Sequence, residues 1–206
     1  MKRQWRFVGK TLVLGGLLVI SACASAPVTR HPDYGRDCVD LGANVDCVRV
    51  YYGTNRDVSD VEQLGANDEI DISIIEPRNG GELVVGRADI WLPKLVQEGG
   101  EREIGETPMA HGEAPEVLSE QEKYVFVTRI TAHGREVYLA ELQSAMDAAD
   151  SKALMLFVHG FNVGFDAALI RSAQLYVDLR EGAEFDPGAP TLFSWPSAGK
   201  LGLASY

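Results

Sequence analysis

The sequence has 206 residues, 46 % apolar and 24 % charged, with 19 Lys plus Arg against 30 Asp plus Glu and a formal net charge of −11. That length suits one domain with a real core, and the composition excludes wholesale disorder. The acidic balance, with no basic block in the body of the chain, excludes a nucleic-acid surface, which must neutralise phosphates.

Lys2, Arg3, Arg6 and Lys10 precede an apolar run from Thr11 to Ile20 that only Gly15 and Gly16 interrupt. A basic start and a short apolar run form a secretory signal pattern, and the run is shorter than the roughly 20 residues a permanent span needs. Ile20-Ser21-Ala22-Cys23 resembles the lipobox of bacterial lipoproteins. The resemblance implies a signal peptide over residues 1–22 and a diacylglycerol on the Cys23 thiol, which would hold the protein on a membrane by acyl chains alone. Ala24, not an Asp, implies an outer membrane facing the periplasm rather than the inner one. The alternative is an ordinary signal cleaved near Ala22 or Ala24, or a poor membrane anchor. Removing 1–22 takes away basic residues and no acidic one, so surface charge would not attach the body to anionic lipid. Of the three cysteines, Cys38 and Cys47 remain. In an oxidising compartment they would close a short loop across the 40–44 turn, and otherwise they stay two free thiols.

Residues 23–47 read as the lipidated cysteine and a linker, with that candidate loop at its end, and the body runs from 48 to 206. The first strand is Val48–Tyr52, ended by Gly53, and a second is the alternating Ile70–Ile75 before Pro77. Leu83–Leu92 is a third, stopped by Pro93. Residues 97–119, rich in glutamate and without a clear period, read as an exposed excursion. Tyr124–Ile130 alternates again, which puts Tyr124, Phe126, Thr128 and Ile130 on one face. Leu139, Leu142 and Met146 lie at helical spacing, predicting a short amphipathic helix over 138–149. Ala153–Val158 is continuously apolar, the pattern of a parallel strand covered on both faces. A helix over 164–180 follows, with Phe165, Ala168, Leu169, Ser172, Tyr176 and Leu179 facing inward and Asp166 in its first turn. Thr191–Trp195 closes a βαβ unit, and a free edge is expected at the strand around Leu192.

A strand ending in His159-Gly160 and followed by Phe161 and Asn162 has the layout of an oxyanion-hole loop, in which a backbone N–H meets the developing alkoxide. Gly160 would permit a turn that a side chain obstructs. Alone, His159 reads equally well as a core histidine bonded to a backbone carbonyl. Tyr51-Tyr52-Gly53-Thr54-Asn55-Arg56, Phe157-Val158-His159-Gly160-Phe161-Asn162-Val163, Ala173-Gln174 and Phe193-Ser194-Trp195-Pro196-Ser197 stand in that order. Together they resemble a bacterial family of α/β hydrolases once catalogued as a domain of unknown function, number nine hundred, and described as esterase- or lipase-like. The resemblance extends from about Val48 to the last residue. The expected fold is therefore α/β: the N-terminal half of an α/β-hydrolase sheet, βαβ with mostly parallel strands, preceded by a β-rich extension.

The resemblance implies hydrolysis of a small carboxylic ester by a serine, a histidine and an acid, with His159, Gly160, Phe161 and Asn162 as the oxyanion-hole loop and no cofactor. Those three groups would follow the Thr191–Trp195 strand in the order Ser, acid, His. No G-x-S-x-G occurs in the sequence; Trp195-Pro196-Ser197-Ala198-Gly199 has tryptophan at the first glycine. The expectation is that the triad lies beyond Tyr206 and that these residues form an inactive fragment or truncated product. The alternative is a non-catalytic envelope lipoprotein or binding module on a hydrolase scaffold. Trp195 and Ser197 are candidate pocket-lining residues, Trp195 weighed against core packing and Ser197, like Asn162, against turn-capping. Asp89 and Asp166 read as a strand-edge and a helix-dipole residue. The scattered His31, His111 and His133 do not have metal-site spacing, and Gly199-Lys200 lacks the rest of a phosphate loop. The sequence leaves the oligomeric state open.

Overall fold

The computed structural model describes residues 27–28, 38, 44–59, 68–96, 99–100, 102–111, 115–183 and 185–197. The signal-peptide segment, the lipidation candidate Cys23, residues 40–43 of the expected turn and Gly199-Lys200 lie outside them. In chain order the elements are β1 (Pro27–Val28), β2 (Val45–Val58), β3 (Ile75–Pro93), β4 (Ala110–His111), α1 (Leu118–Gln121), β5 (Phe126–His133), α2 (Arg135–Ala148), β6 (Leu154–Val158), α3 (Phe165–Val177) and β7 (Ala189–Ser194). β1 and β4 pair antiparallel as a small ribbon. The main sheet has five strands in the order β5-β3-β2-β7-β6. β2, β7 and β6 are mutually parallel, and β3 runs against both β2 and β5, so every strand but β3 points the same way.

The α3 face of this sheet holds the core. Val48, Val50 and Tyr52 alternate along β2 onto that face, where they meet Ala88 and Ile90 of β3 and Leu192 of β7. α3 opens after Gly164 with Asp166 in its first turn and lays Ala168, Leu169, Ala173 and Val177 on the strands, with Phe165 edge-on to Tyr52 at 5.2 Å. Each fully buried Leu, Ile or Val there contributes about 1.5–3 kcal/mol. α2 takes the opposite face, where Tyr138 meets Tyr51 edge-on and Glu141 binds Arg87 at 3.0 Å.

The fold corrects the sequence reading at several points. The first strand does not end at Gly53; β2 continues to Val58 because β3 pairs with it along its length, with register shifts beyond Thr54. Ile70–Ile75 is not a strand: Ile72–Ile74 form a 3-10 turn, since the Asp71 side chain accepts from the Ser73 N–H and competes with any ladder. Tyr124, Phe126, Thr128 and Ile130 do not share one face. Ile90 pairs with Val127 and Asp89 with Arg129, leaving Thr128 as the extra residue of a bulge. The bulge turns Phe126 towards Trp91, Val45 and Ala110 in a separate small cluster, while Ile130 stays in the main core.

Leu139 of α2 is exposed, and the residue this helix buries is Tyr138. α3 ends at Val177, short of the expected 180, and Leu179 falls in the π-helical turn Asp178–Gly182 that follows; Tyr176 and Leu179 are half-buried, and Ala173 and Val177 take the innermost positions. The 97–119 excursion is anchored rather than wholly exposed. Arg102 is buried, donating to the Pro93 carbonyl at 3.0 Å and to Asp178 at 2.7 Å, and Leu95 and Ala110 are buried with it. The expected edge at Leu192 is also overturned: β7 lies inside the sheet between β2 and β6, and among the described residues β6 forms the edge. Leu154, Leu156 and Val158 therefore stand exposed on the α2 side, where α2 does not reach, and Ala153–Val158 is not covered on both faces.

Candidate functional site

Three parallel strands deliver their carboxyl ends to one place: β6 at Val158, β7 at Ser194 and β2 at Thr54, which lies opposite Ser194. Open α/β sheets bind ligands at such ends. Two residues past Thr54 stands Arg56, a residue only 2 % exposed. Its Nε donates to Ser194 Oγ at 2.9 Å, one terminal nitrogen to the Ser197 carbonyl at 2.8 Å, and the other to the Val163 carbonyl at 2.9 Å. Among the described residues no carboxylate forms an ion pair with it, and burial lowers its pKa to about 10, with Asp166 acting in the opposite sense. Arg56 thus ties the loop after β6 to the segment after β7.

The loop itself is bound through His159, Gly160 and Val163. His159 is buried, with its ring stacked on Trp195 at a centroid distance of 5.2 Å and an interplanar angle of 12°. Trp195 Nε1 donates to the His159 carbonyl at 3.0 Å, so Trp195 packs against the loop, and neither it nor Ser197 lines the cavity beside the loop as the sequence suggested. His159 Nδ1 lies 2.8 Å from the Gly160 carbonyl, and Nε2 lies 3.1 Å from Ser194 Oγ. Ser197 is buried, and its Oγ accepts from the Val163 N–H at 3.1 Å, which makes it a turn-capping residue. Phe161 is exposed, and Asn162 takes the left-handed conformation of the turn at φ 60°. Gly160 is not where the turn needs a glycine. A Cβ there would meet nothing within 4 Å, so the loop offers open space at that position.

A cavity of about 420 Å³ opens beside the loop. Met109, Phe157, Val163 and Ile170 supply apolar wall, His159 and Gly160 one side, and Asp166 and Arg171 charged groups. Sequence reasoning missed Met109, which the 97–119 segment brings in from far along the chain. It also missed Arg56 as a site residue, because an arginine in a string reads as surface until the fold buries it. A second cavity of about 450 Å³ lies at the other ends of β2 and β7. Its arginines are already committed, Arg49 to Asp89 at 2.8 Å and Arg180 to Glu181.

Residues 136–206 match the family model described as an alpha/beta hydrolase of unknown function, DUF900. This C-terminal part of the chain is similar to part of an α/β-hydrolase domain. The match takes in α2, β6, the His159–Val163 loop, α3 and β7, and starts well after the Tyr51–Arg56 string. In the matched segment, β6, α3 and β7 form the βαβ unit that carries the loop, while Arg56 reaches it from outside the matched region. No curated protein and no solved structure matches the chain.

The only Ser–His contact described in this segment, Ser194 with His159, is not arranged as a nucleophile and base. Ser194 is fully buried, its Oγ already accepts from a guanidinium, and His159 Nδ1 faces a carbonyl where a triad places a carboxylate. Asp89 lies in the sheet interior paired with Arg49, and Asp166 in the first turn of α3; neither hydrogen-bonds the His159 ring.

Proposed function

We propose that the chain supplies the carbonyl-binding side of a carboxylic-ester-hydrolase-type site. The His159–Asn162 loop faces the ester oxygen, and the cavity walled by Met109, Phe157, Val163 and Ile170 takes an apolar arm of the ester. The observation that carries this reading is a loop bound on both sides at the carboxyl ends of parallel strands and opening onto a mainly apolar cavity. No nucleophile is assigned among the described residues, so these residues are expected to bind an ester and not to cleave it. The expected results with the purified 206-residue chain are no stoichiometric labelling by a fluorophosphonate and saturable binding of octanoate that Ile170→Trp abolishes by filling the cavity. Stoichiometric labelling overturns the assignment of no nucleophile, and absence of octanoate binding overturns the ester pocket.

The same reading takes residues 1–22 as a lipoprotein signal and Cys23 as the lipidated residue, placing the protein on the bacterial envelope, with the outer membrane favoured. Support comes from the residue pattern before Cys23 and from the Cys38–Cys47 bridge, Cα atoms 5.4 Å apart, which suits an oxidising compartment. No described helix is long and apolar enough to cross a membrane. Labelled palmitate should enter the wild-type protein and not Cys23→Ser. Equal incorporation into both, or into neither, removes the anchor.

A further inference from the structure

We propose that Arg56, Ser194 and His159 form a hydrogen-bond relay that sets the direction of the Phe161 N–H, and so act as positioning residues for the donor that the ester-hydrolase reading places against the carbonyl oxygen. This rests on that reading for its function, but its geometry stands by itself.

The direction of every proton in the chain follows from the partners. The Gly160 carbonyl can only accept, so His159 Nδ1 carries the ring proton and donates to it at 2.8 Å. Nε2 is then a bare acceptor, and the hydrogen bond at 3.1 Å has to come from the Ser194 hydroxyl. The Ser194 oxygen in turn accepts from Arg56 Nε, a group that can only donate. One sense of polarisation therefore runs from the guanidinium through the hydroxyl and the imidazole to the Gly160 carbonyl. Burial and the Arg56 charge both hold the ring below the ordinary histidine pKa, which keeps Nε2 unprotonated.

The last step is covalent geometry. The Gly160–Phe161 peptide is planar and trans, so the Phe161 N–H points opposite to the Gly160 C=O. A carbonyl held by the His159 ring fixes the N–H on the other side of the same plane. The ring cannot swing away, because Trp195 stacks on it and also holds the His159 carbonyl. The neighbouring Val163 carbonyl is held by Arg56 and the Val163 N–H by Ser197, so the turn is bound at both ends. A Ser–His pair that resembles part of a catalytic triad is thereby assigned to shaping the loop.

Nitrogen-15 NMR on the full chain tests this without mutation. The relay requires the Nδ1–H tautomer of His159 and a Phe161 amide nitrogen shift that titrates with the midpoint of the His159 ring, because the ring's partner is the carbonyl of the same peptide. Ser194→Ala removes the donor to Nε2 while Arg56 keeps its two carbonyl partners. The expected results are a His159 midpoint moved up towards the ordinary histidine value and octanoate affinity reduced about ten-fold. An Nε2–H tautomer in the wild type, or a Ser194→Ala protein with unchanged midpoint, overturns the relay. If that protein does not fold, the wild-type tautomer and the shared Phe161 titration decide alone. Octanoate that leaves the Phe161 amide unshifted while the tautomer and shared midpoint are as stated overturns the ester reading and leaves the relay standing.

Discussion

β6 and β7 are adjacent, parallel and both apolar, yet they end up in different surroundings. β7 has neighbours on both sides, and its Leu192 is 1 % exposed beneath α3. Among the described residues β6 has a neighbour on one side, and its burial alternates, so Leu156 is 56 % exposed. The uninterrupted run Ala153–Val158 is the more hydrophobic signal, and it belongs to the less buried strand. An apolar run reports that a strand is compatible with burial on both faces. Which strands flank it, and which helix lies over it, depends on pairings far along the chain.

The contrast can be broken by substitution, beginning where the effect is largest. Leu192→Ala should cost about 2–5 kcal/mol of stability in urea denaturation, because it leaves a cavity among packed side chains. Leu156→Ser should stay within about 0.5 kcal/mol of wild type and improve solubility, since it removes an exposed apolar group. Equal losses at the two positions would mean that β6 is covered as β7 is.

Ser194→Ala, at the end of β7, should cost about 1–3 kcal/mol in the same assay, because it leaves the Arg56 Nε without its buried acceptor. A smaller effect is expected from pH. The folded pKa of His159 is depressed, so the unfolded chain binds the proton more readily. This group's stabilisation is fully present above the unfolded value near 6.5 and is lost as pH falls through the folded value. The urea midpoint should therefore drop below pH 6.5, and His159→Gln should flatten that part of the curve. The smallest change is expected for Gly160→Ala at the end of β6, within about 0.5 kcal/mol, since its Cβ would enter open space. A large loss there would restore the need for glycine that the sequence suggested.

Much of the site was legible as residue types but not as contacts. His159, Gly160, Phe161, Asn162, Trp195 and Ser197 were all singled out, and the fold brings His159, Trp195 and Ser197 onto one loop. Their partners were not legible. Arg56 and Ser194 are separated by 138 residues and meet only because β2 and β7 pair in parallel with Thr54 opposite Ser194. The Thr128 bulge was hidden for a related reason: period-two alternation assumes an unbroken ladder, and one inserted residue reverses the face of everything beyond it.

The sequence by itself determined what depends on near neighbours: the strand and helix segments of the βαβ unit, the inward stripe begun by Phe165, Ala168 and Leu169, and the His-Gly turn after an apolar strand. These follow from side-chain periods of two and 3.6 residues and from local backbone preferences. Only the tertiary structure decided strand order, the exposed face of β6, the cavity closed by Met109 and the burial of the Arg56 charge. Each of those is set by contacts between residues tens to more than a hundred positions apart, and no local period in a sequence records which of them will meet.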